Sequence, residues 1–356
     1  MRCQGLPATF LGFLLTVSVA SAREYRIVGE FTSPGLNNLI VSAARDGVVA
    51  FRSGFEVYLQ AGGPRLHINQ INNSTSINIQ EWGGSFGSVK SRPFGSSSSL
   101  SGYVGLDGKI TSFEGANLNT FKAGGDWVGG EIEVNLSTVQ KLGFAYNVKT
   151  GQRLEPAFDY GTVLAGASPT GTLVFQSRDE FAGSIGLNHR VHIWQNGVYS
   201  TVSGYNGFVH GINKHDEILL TNGGSVFIVQ PGKPTREFNG QMAPDQPNFT
   251  QFSDLGTILM DSIFGFFVGD AKGWYDLRAI TPGIPAGSKI WSAVQDPVTD
   301  RIYASIELGQ DGPIKPLILD PVPEPGTLAA LGLGVAAVLR KKRRTIGGQL
   351  GSIGRD

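Results

Sequence analysis

The chain has 356 residues, which is enough for one large domain or two of ordinary size. Charged residues make up only 16% of it and Gly contributes 50 residues. This mixture is poor in helix formers and rich in turn formers, so it predicts many short strands joined by tight turns. Without residues 1–22 and 326–356, the chain has 22 Lys and Arg against 28 Asp and Glu, a net charge of −6. No basic cluster remains in that part to neutralise phosphates, which excludes nucleic acid as a partner.

The N-terminus has the three parts of a secretory signal peptide. A basic residue precedes an apolar run from Phe10 to Ala20, and Ala20 and Ala22 form a small-x-small cleavage site. We therefore predict a signal peptide over residues 1–22, with cleavage after Ala22. The only cysteine, Cys3, lies inside this segment, so the mature chain has neither disulfides nor thiol chemistry.

The long middle of the chain, residues 23–319, repeats a polar turn ending in Gly or Asp followed by an apolar or alternating strand. The residues that mark these turns are Gly47, Gly108, Gly171, Asp216, Gly256 and Asp300. The last three intervals, of 45, 40 and 44 residues, match one four-stranded propeller blade per unit. The two longer intervals predict an insertion at residues 72–99, or an additional degenerate blade near residues 131–148.

Such units cannot bury their apolar faces alone and must stack on one another. A closed ring of them also removes most exposed strand edges. We therefore predict an all-β fold in which residues 23–319 form a single β-propeller of about six or seven blades. A tandem β-sandwich is the alternative.

The turn-strand units resemble a degenerate form of the tandem NxxGxxAF repeats found in some anchored bacterial surface proteins. The stretch from Arg45 to Phe51 keeps the GxxAF part and lacks the leading Asn. This resemblance implies a repeat architecture and placement at the cell surface. It implies no chemistry.

Two patterns that are often catalytic or metal-binding have the wrong context here. Gly83–Gly87 matches G-x-S-x-G, but the residues after it include a proline and show no helical period, so they do not form a nucleophile elbow. His189 and His192 are three residues apart, a spacing that places them on opposite faces of a strand. His210 and His215 are five apart and have no further ligand motif. We therefore predict no bound metal and no cofactor.

Scattered acids are the remaining candidates for catalysis: Glu131, Glu133, Asp159, Asp179, Glu180, Asp216 and Glu217. A propeller could bring two of them together at its central channel as a glycosidase pair. We favour their interpretation as turn formers and solvated strand faces, and predict that the protein is not an enzyme. Trp127 and Trp194 lie beside Gly-containing turns and are candidates for stacking on sugar rings. Aromatic residues at such positions are more typical of the core between blades.

The C-terminus carries the most specific pattern. A linker over residues 320–325 contains Val322, Pro323, Glu324 and Pro325, and its prolines favour an extended, protease-accessible backbone. We predict that residues 326–344 form a membrane-anchor helix followed by a basic cluster, and that residues 345–356 form a cytoplasmic tail. The cluster, which the positive-inside rule keeps in the cytoplasm, consists of Arg340, Lys341, Lys342, Arg343 and Arg344.

This order of motif, apolar run and basic cluster closely resembles the PEP-CTERM sorting domain of Gram-negative bacteria, with the motif at Pro323, Glu324 and Pro325. The resemblance implies processing by an exosortase-type protease and a transient stay in the inner membrane. It further implies a destination at the outer surface or in the extracellular matrix, in association with exopolysaccharide or biofilm. The leading hypothesis is therefore an exported, non-catalytic envelope or matrix protein. The alternative is a carbohydrate-active propeller enzyme, a glycoside hydrolase or lyase, on the same anchor.

Overall fold

The computed structural model describes most of the chain between its two ends. The described residues are 23–31, 39–96, 98–113, 118–135, 140–156, 161–178, 189–202, 207–222, 224–241, 243–244 and 248–323. The predicted signal peptide, anchor helix, basic cluster and cytoplasmic tail lie outside these ranges, as do Glu324 and Pro325. Tyr25–Asp320 forms one compact unit, and the residues on either side of it belong to a separate unit.

Most of the compact unit consists of four-stranded sheets, or blades, whose strands are consecutive in the chain. The first blade contains β2 (Leu39–Arg45), β3 (Val48–Ser53), β4 (Glu56–Ala61) and β5 (Leu66–His67), and is followed by the short helix α1 (Ile68–Asn72). The second contains β6 (Ser74–Trp82), β7 (Phe86–Pro93), β8 (Leu100–Gly105) and β9 (Ile110–Ser112). The third contains β10 (Leu118–Gly124), β11 (Trp127–Asn135), β12 (Gln140–Asn147) and β13 (Arg153–Leu154).

Three further blades follow the same order of strands. The fourth contains β14 (Gly161–Ala167), β15 (Leu173–Arg178), β16 (His189–Gln195) and β17 (Val198–Val202). The fifth contains β18 (Phe208–Ile212), β19 (Ile218–Asn222), β20 (Ser225–Val229) and β21 (Arg236–Glu237). The sixth contains β22 (Asn248–Phe252), β23 (Ile258–Ser262), β24 (Gly265–Asp270) and β25 (Gly273–Asp276).

The seventh blade joins the two ends of the compact unit. It contains β26 (Lys289–Gln295), β27 (Ile302–Glu307), β28 (Ile314–Pro321) and the N-terminal strand β1 (Tyr25–Glu30), with β1 next to β28. The N–H of Phe31 donates to the carbonyl of Pro316 at 3.0 Å. The first strands of neighbouring blades contact one another, and β2 also contacts β26, so the blades form a closed ring. The prediction of a propeller is confirmed, with seven blades, and the tandem sandwich is wrong.

The hydrophobic core lies between neighbouring blades rather than at one centre. Successive side chains of a strand point to opposite faces, and both faces of a blade are covered. In β3, Val49 and Phe51 pack towards the seventh blade, in a cluster with Tyr303. Ala50 packs towards the second blade, in a cluster with Trp82. This arrangement explains why the middle strands β3 and β19 begin with consecutive buried apolar residues instead of alternating.

The turn markers predicted from the sequence are right with one exception. Gly108 lies between the third and fourth strands of its blade, whereas the other five lie between the first and second. The reason is that the same turn geometry occurs in both places. Gly108 N–H donates to the Gly105 carbonyl at 3.0 Å, just as Gly171 N–H donates to the Ser168 carbonyl at 3.1 Å.

Correcting this marker removes the predicted insertion. Residues 72–99 are not an insertion, because they contain β6 and β7 of the second blade. The additional blade suggested near residues 131–148 is confirmed, since β11 and β12 belong to the third blade. Among the described residues, the longest helix is α1 and none is long and apolar enough to cross a membrane.

Gly124 tests the close approach of the third and fourth blades. A Cβ atom at this position would lie 1.8 Å from the carbonyl oxygen of Ala167, which is backbone and cannot turn away. We expect Gly124→Ala to lower the free energy of unfolding by about 3 kcal/mol, as overpacking of a rigid contact does. Urea denaturation of purified protein measures this. Gly63→Ala is the matched control, because a Cβ there meets nothing within 4 Å; equal stability of the two variants would contradict the packing.

Candidate functional site

We call the turns between the first and second strands of the blades the inner turns. In the fourth, fifth and sixth blades these turns begin with Ser168, Asn213 and Ser253, whose side chains accept backbone hydrogen bonds within the turn. In each, the residue three positions later has a left-handed backbone: Gly171, Asp216 and Gly256. A short polar residue at the start and Gly or Asp at the left-handed position are the turn chemistry that the sequence repeats.

Acidic side chains of the inner turns hold neighbouring blades together. Asp216, a predicted catalytic candidate, accepts hydrogen bonds across the blade boundary from Ser168 Oγ at 2.9 Å and Thr170 Oγ1 at 2.7 Å. Asp296 Oδ2 accepts from Gly47 N–H at 2.9 Å, which joins the seventh blade to the first. Asp254 Oδ1 accepts the Lys214 N–H at 2.7 Å. These carboxylates therefore fix the relative positions of the blades.

A cavity of about 740 Å³ lies where the inner turns meet, and we call it the mouth cavity. Every blade contributes to its lining, through Asp46, Ser85, Asp126, Pro169, Lys214, Asp254 and Val298. Its walls also include Arg45, the last residue of β2. The Arg45 side chain is only 10% exposed, and its Nη2 lies 3.5 Å from Oδ2 of Asp254, which is 1% exposed. The cavity thus combines a buried ion pair with small and apolar side chains.

A second cavity, of about 320 Å³, lies in the channel between the first strands. Its polar lining includes Glu81, Lys122 and Asp261. Glu81 Oε2 accepts the Ala123 N–H at 2.9 Å, and Lys122 Nζ donates to the His210 carbonyl at 3.4 Å. Burial of the Asp261 carboxyl raises its pKa. Neither Glu81 nor Asp261 was a candidate from the sequence, because they become neighbours of one cavity only when the ring closes.

The other acids considered from the sequence do not line either cavity where their side chains are described. Glu217 accepts hydrogen bonds from Asn213 Nδ2 at 2.9 Å and Arg236 Nη2 at 3.1 Å. Glu131 Oε1 lies 3.5 Å from the amide nitrogen of Asn119. The side chain of Glu133, and all of Asp159, Asp179 and Glu180, lie outside the described residues.

Of the histidines considered from the sequence, those with described side chains contact hydroxyl and carbonyl groups. The two ring nitrogens of His192 lie 2.9 Å from Ser177 Oγ and Thr201 Oγ1, and burial lowers its pKa. His215 Nε2 lies 3.1 Å from the Asp254 carbonyl. The side chain of His189 is outside the described set. Within the part of the chain that the structure describes, no group of three or more His, Cys, Asp or Glu could hold a metal ion.

The G-x-S-x-G match falls on the inner turn of the second blade. Gly83–Gly87 runs from the end of β6 into β7, so a strand follows the serine where a nucleophile elbow needs a helix. Gly83 instead takes part in a blade contact, since its carbonyl accepts the Gly125 N–H at 2.9 Å. The pattern is thus explained by the turn.

The two tryptophans proposed for sugar stacking contact each other. Trp127 and Trp194 are edge to face, with ring centroids 5.3 Å apart, in the core cluster between the third and fourth blades. Trp127 is only 5% exposed. Trp194 is half-buried. Sugar stacking at these residues stays a prediction, and the packing explains both of them as core.

Large apolar side chains are exposed at the opposite edge of the blades. Phe55 lies in the turn between the second and third strands of the first blade and is 88% exposed. Phe94 and Phe264 lie at the corresponding places in the second and sixth blades, 74% and 60% exposed. Because consecutive strands are antiparallel, these turns point away from the mouth cavity.

Comparison with known families assigns the C-terminal pattern. Residues 321–344 match the sequence model of the PEP-CTERM protein-sorting motif. The match spans Pro323, Glu324 and Pro325, the apolar run and the basic cluster, so the resemblance seen in the sequence is confirmed. The chain is therefore a seven-bladed propeller with a PEP-CTERM sorting signal, which implies export, a membrane-anchored C-terminal signal and processing by exosortase. No curated protein matches the chain.

Solved structures with a similar fold include several propellers from peptidases. The β-propeller domain of the trilobed protease from Pyrococcus furiosus, which has an open velcro topology, is 11% identical with a TM-score of 0.53, over 79% of this chain and 93% of that one. A chain from a study of two prolyl endopeptidases is 15% identical with a TM-score of 0.51, over 85% and 48%. The tricorn protease is 10% identical with a TM-score of 0.50, over 83% and 35%.

The extent of these matches limits what they show. This chain spans about half and about a third of the length of the prolyl endopeptidase and tricorn protease chains. At identities of 10–15% the three structures share its fold, and their activities are not carried over.

His210 makes stability depend on pH. Burial, together with the charge of Lys122, lowers its pKa to about 4 in the folded protein, from 6.5. As the pH falls, His210 is therefore protonated in the unfolded chain before it is protonated in the folded protein. The contribution of neutral His210 to stability is fully present above pH 6.5 and is lost as the pH falls towards 4. Relative to pH 8, we expect the wild type to lose about 3 kcal/mol more than His210→Gln at pH 4. Chemical denaturation at both pH values measures this, and equal losses would contradict the burial of a neutral imidazole.

Proposed function

We propose that this protein is an exported, non-catalytic envelope or extracellular-matrix protein that is sorted through its PEP-CTERM signal and associates with exopolysaccharide. The observation that carries the proposal is the position of the signal. The last strand, β28, ends at Pro321, and the match to the sorting motif begins at that residue. The propeller is complete where the sorting signal starts.

The predicted processing at both ends leaves the seven sheets intact. Cleavage after Ala22 would remove nothing from β1, which begins at Tyr25. Cleavage at or beyond Pro323 would remove nothing from β28. The mature product is then a closed propeller whose strand edges are largely paired, which protects it from edge-to-edge aggregation outside the cell.

The route to that site follows from the C-terminal segment. The basic residues from Arg340 to Arg344 stay in the cytoplasm and hold the chain in the inner membrane until exosortase acts on Pro323, Glu324 and Pro325. The product then reaches the outer surface or the matrix. The partners are thus exosortase and, for the mature propeller, exopolysaccharide.

Two observations support a non-catalytic body. The acids of the inner turns, such as Asp216 and Asp296, are hydrogen-bonded across blade boundaries. The histidines with described side chains contact hydroxyl or carbonyl groups or, in the case of His67, the carboxylate of Glu56. Carboxylates and imidazoles with these contacts stabilise the fold and are not arranged to act on a substrate.

A carbohydrate-active enzyme is the second candidate, and the channel favours it in one respect. Glu81 and Asp261 line the same cavity, and a raised pKa such as that of Asp261 is what a general acid needs. Against it, Glu81 already accepts the Ala123 N–H. This second candidate would be established if the wild type released reducing ends from the host polysaccharide and both Glu81→Gln and Asp261→Asn lost this activity.

The sorting signal is tested in the native host. We expect the wild type to be found outside the cell, lacking residues 1–22 and the tail, because the Pro-Glu-Pro motif is the segment that exosortase is proposed to recognise. The triple variant Pro323→Ala, Glu324→Ala, Pro325→Ala is expected to remain in the inner membrane with its tail attached. Cell fractionation and intact mass spectrometry measure both properties.

Pro234→Ala is the control, since Pro234 is an exposed proline outside the signal. It is expected to behave as the wild type. A wild-type protein that keeps its tail through Asp356, or a triple variant that is exported and trimmed normally, would contradict sorting by this motif.

A further inference from the structure

The guanidinium of Arg45, in the wall of the mouth cavity, has more N–H donors than its ion pair with Asp254 uses. Arg45 is nine-tenths buried, and among the described residues its one ion-pair partner is Asp254, at 3.5 Å through a single nitrogen. A guanidinium carries five N–H donors in a planar fork. Because its side chain lines the cavity, the remaining donors are available to a molecule bound there.

Asp254 orients the Arg45 guanidinium while contacting only one of its nitrogens. One of its oxygens accepts the Lys214 N–H at 2.7 Å, and its own N–H donates to the Pro297 carbonyl at 2.6 Å. Asp254 is therefore fixed to the fifth blade through its carboxylate and to the seventh through its backbone, and it holds the guanidinium of the first blade at the cavity wall. A buried charge held in this way is oriented before any ligand arrives.

The charges of the lining indicate which ligands fit. Arg45 and Lys214 supply two positive charges, and Asp46, Asp126 and Asp254 supply three negative ones, of which Asp126 is paired with Lys149 at 2.8 Å. The lining thus offers donors and acceptors side by side, with no excess of positive charge. A polyanion is disfavoured, whereas hydroxyl groups, which donate and accept at once, match both kinds of partner.

The size and the apolar part of the cavity fit a ring-shaped ligand. Its volume of about 740 Å³ lies within the range of small-molecule sites. Val48, Leu106 and Val298 provide aliphatic surface for the C–H faces of such a ring. At Gly62 and Gly84 a Cβ atom would meet no protein atom within 4 Å, so the small residues leave open space in the lining.

We propose that the mouth cavity is a binding site for neutral sugar residues of a polysaccharide, with Arg45 as the principal donor and Asp46 as an acceptor for their hydroxyl groups. The proposal rests on the association with exopolysaccharide proposed above and gives it a place in the fold. It differs from stacking on Trp127 and Trp194, and from adhesion through the exposed Phe side chains at the other edge.

The test uses the processed chain, residues 23–323, and two independent changes to the cavity. Arg45→Gln removes the guanidinium. Ser85→Trp fills the cavity from an exposed position and leaves the Arg45–Asp254 pair in place. The matched control is Ser200→Trp, an exposed serine on β17 outside the cavity. A second control replaces Phe55, Phe94 and Phe264 by Ser. Melting temperatures establish that each variant is folded.

Two binding measurements are made on each variant. The first titrates neutral hexasaccharides of glucose, mannose and galactose, and a galacturonic acid hexamer, by calorimetry. The second measures retention on exopolysaccharide purified from the native host. We expect a neutral hexasaccharide to bind more tightly than the acidic one. Arg45→Gln is expected to weaken it about 10-fold, as loss of hydrogen bonds to a charged group does, and Ser85→Trp to abolish it, while both controls bind as the wild type.

The outcomes separate this site from the proposed function. If the wild type binds a neutral hexasaccharide and is retained on the host polysaccharide, and Ser85→Trp does both equally, the site is wrong and the association stands. If a neutral hexasaccharide binds and Ser85→Trp abolishes this, the site is right even if the host polysaccharide is not retained. If no neutral hexasaccharide binds, or the acidic one alone does, the inference is overturned.

Discussion

The pairing of β1 with β28 in the seventh sheet is the interaction on which the rest of the structure depends. Six blades are local, since their four strands follow one another in the chain, but the seventh needs residues from both ends of the compact unit. β1 is largely exposed at its middle, so main-chain pairing and the fully buried ring of Tyr25 hold it. Once this sheet forms, β2 contacts β26, the ring is closed, and the seven inner turns meet around one cavity.

The inner turns show how one local solution serves both fold and site. In the fourth, fifth and sixth blades a five-residue turn places a short polar side chain at its start, where it satisfies backbone donors. The first blade has a two-residue turn with left-handed Asp46 and Gly47 instead. Arg45 therefore ends a strand rather than starting a turn, and its long side chain lines the cavity. The polar lining of the mouth combines this arginine with Asp126, Lys214 and Asp254 of other blades.

Much of the fold could be predicted from the sequence because the repeated unit is local. The spacing of Gly171, Asp216, Gly256 and Asp300 was sufficient to predict a propeller. The position of a turn within its blade was predicted wrongly only at Gly108, which forms the same hydrogen-bonded turn between the third and fourth strands. A turn motif reports a hairpin, and it cannot report which hairpin of the blade it closes. The sorting signal after Pro321 could be predicted equally well, because its motif, apolar run and basic cluster follow one another directly in the chain.

The candidate site was not predictable in the same way. Arg45 and Asp254 are more than 200 residues apart, as positions in the sequence show, and the cavity lining comes from all seven blades. The packing of Trp127 was not predictable for a related reason: a residue beside a Gly-containing turn is exposed on an isolated hairpin and buried when the next blade packs on it. Asp216 was a catalytic candidate by its chemistry, and its contacts across a blade boundary become visible only in the assembled ring.

The most direct test of ring closure is hydrogen exchange, followed by mass spectrometry, on the processed chain from residue 23 to residue 323. If β1 closes the ring, amides of Tyr25–Glu30 exchange only in the same opening event as those of Ile302–Glu307, and added urea accelerates both together. Rapid exchange of Tyr25–Glu30 while the Ile302–Glu307 amides stay protected would contradict the account. The N-terminal strand would then not hold the ring, and the mouth cavity would lose the constraint that shapes it.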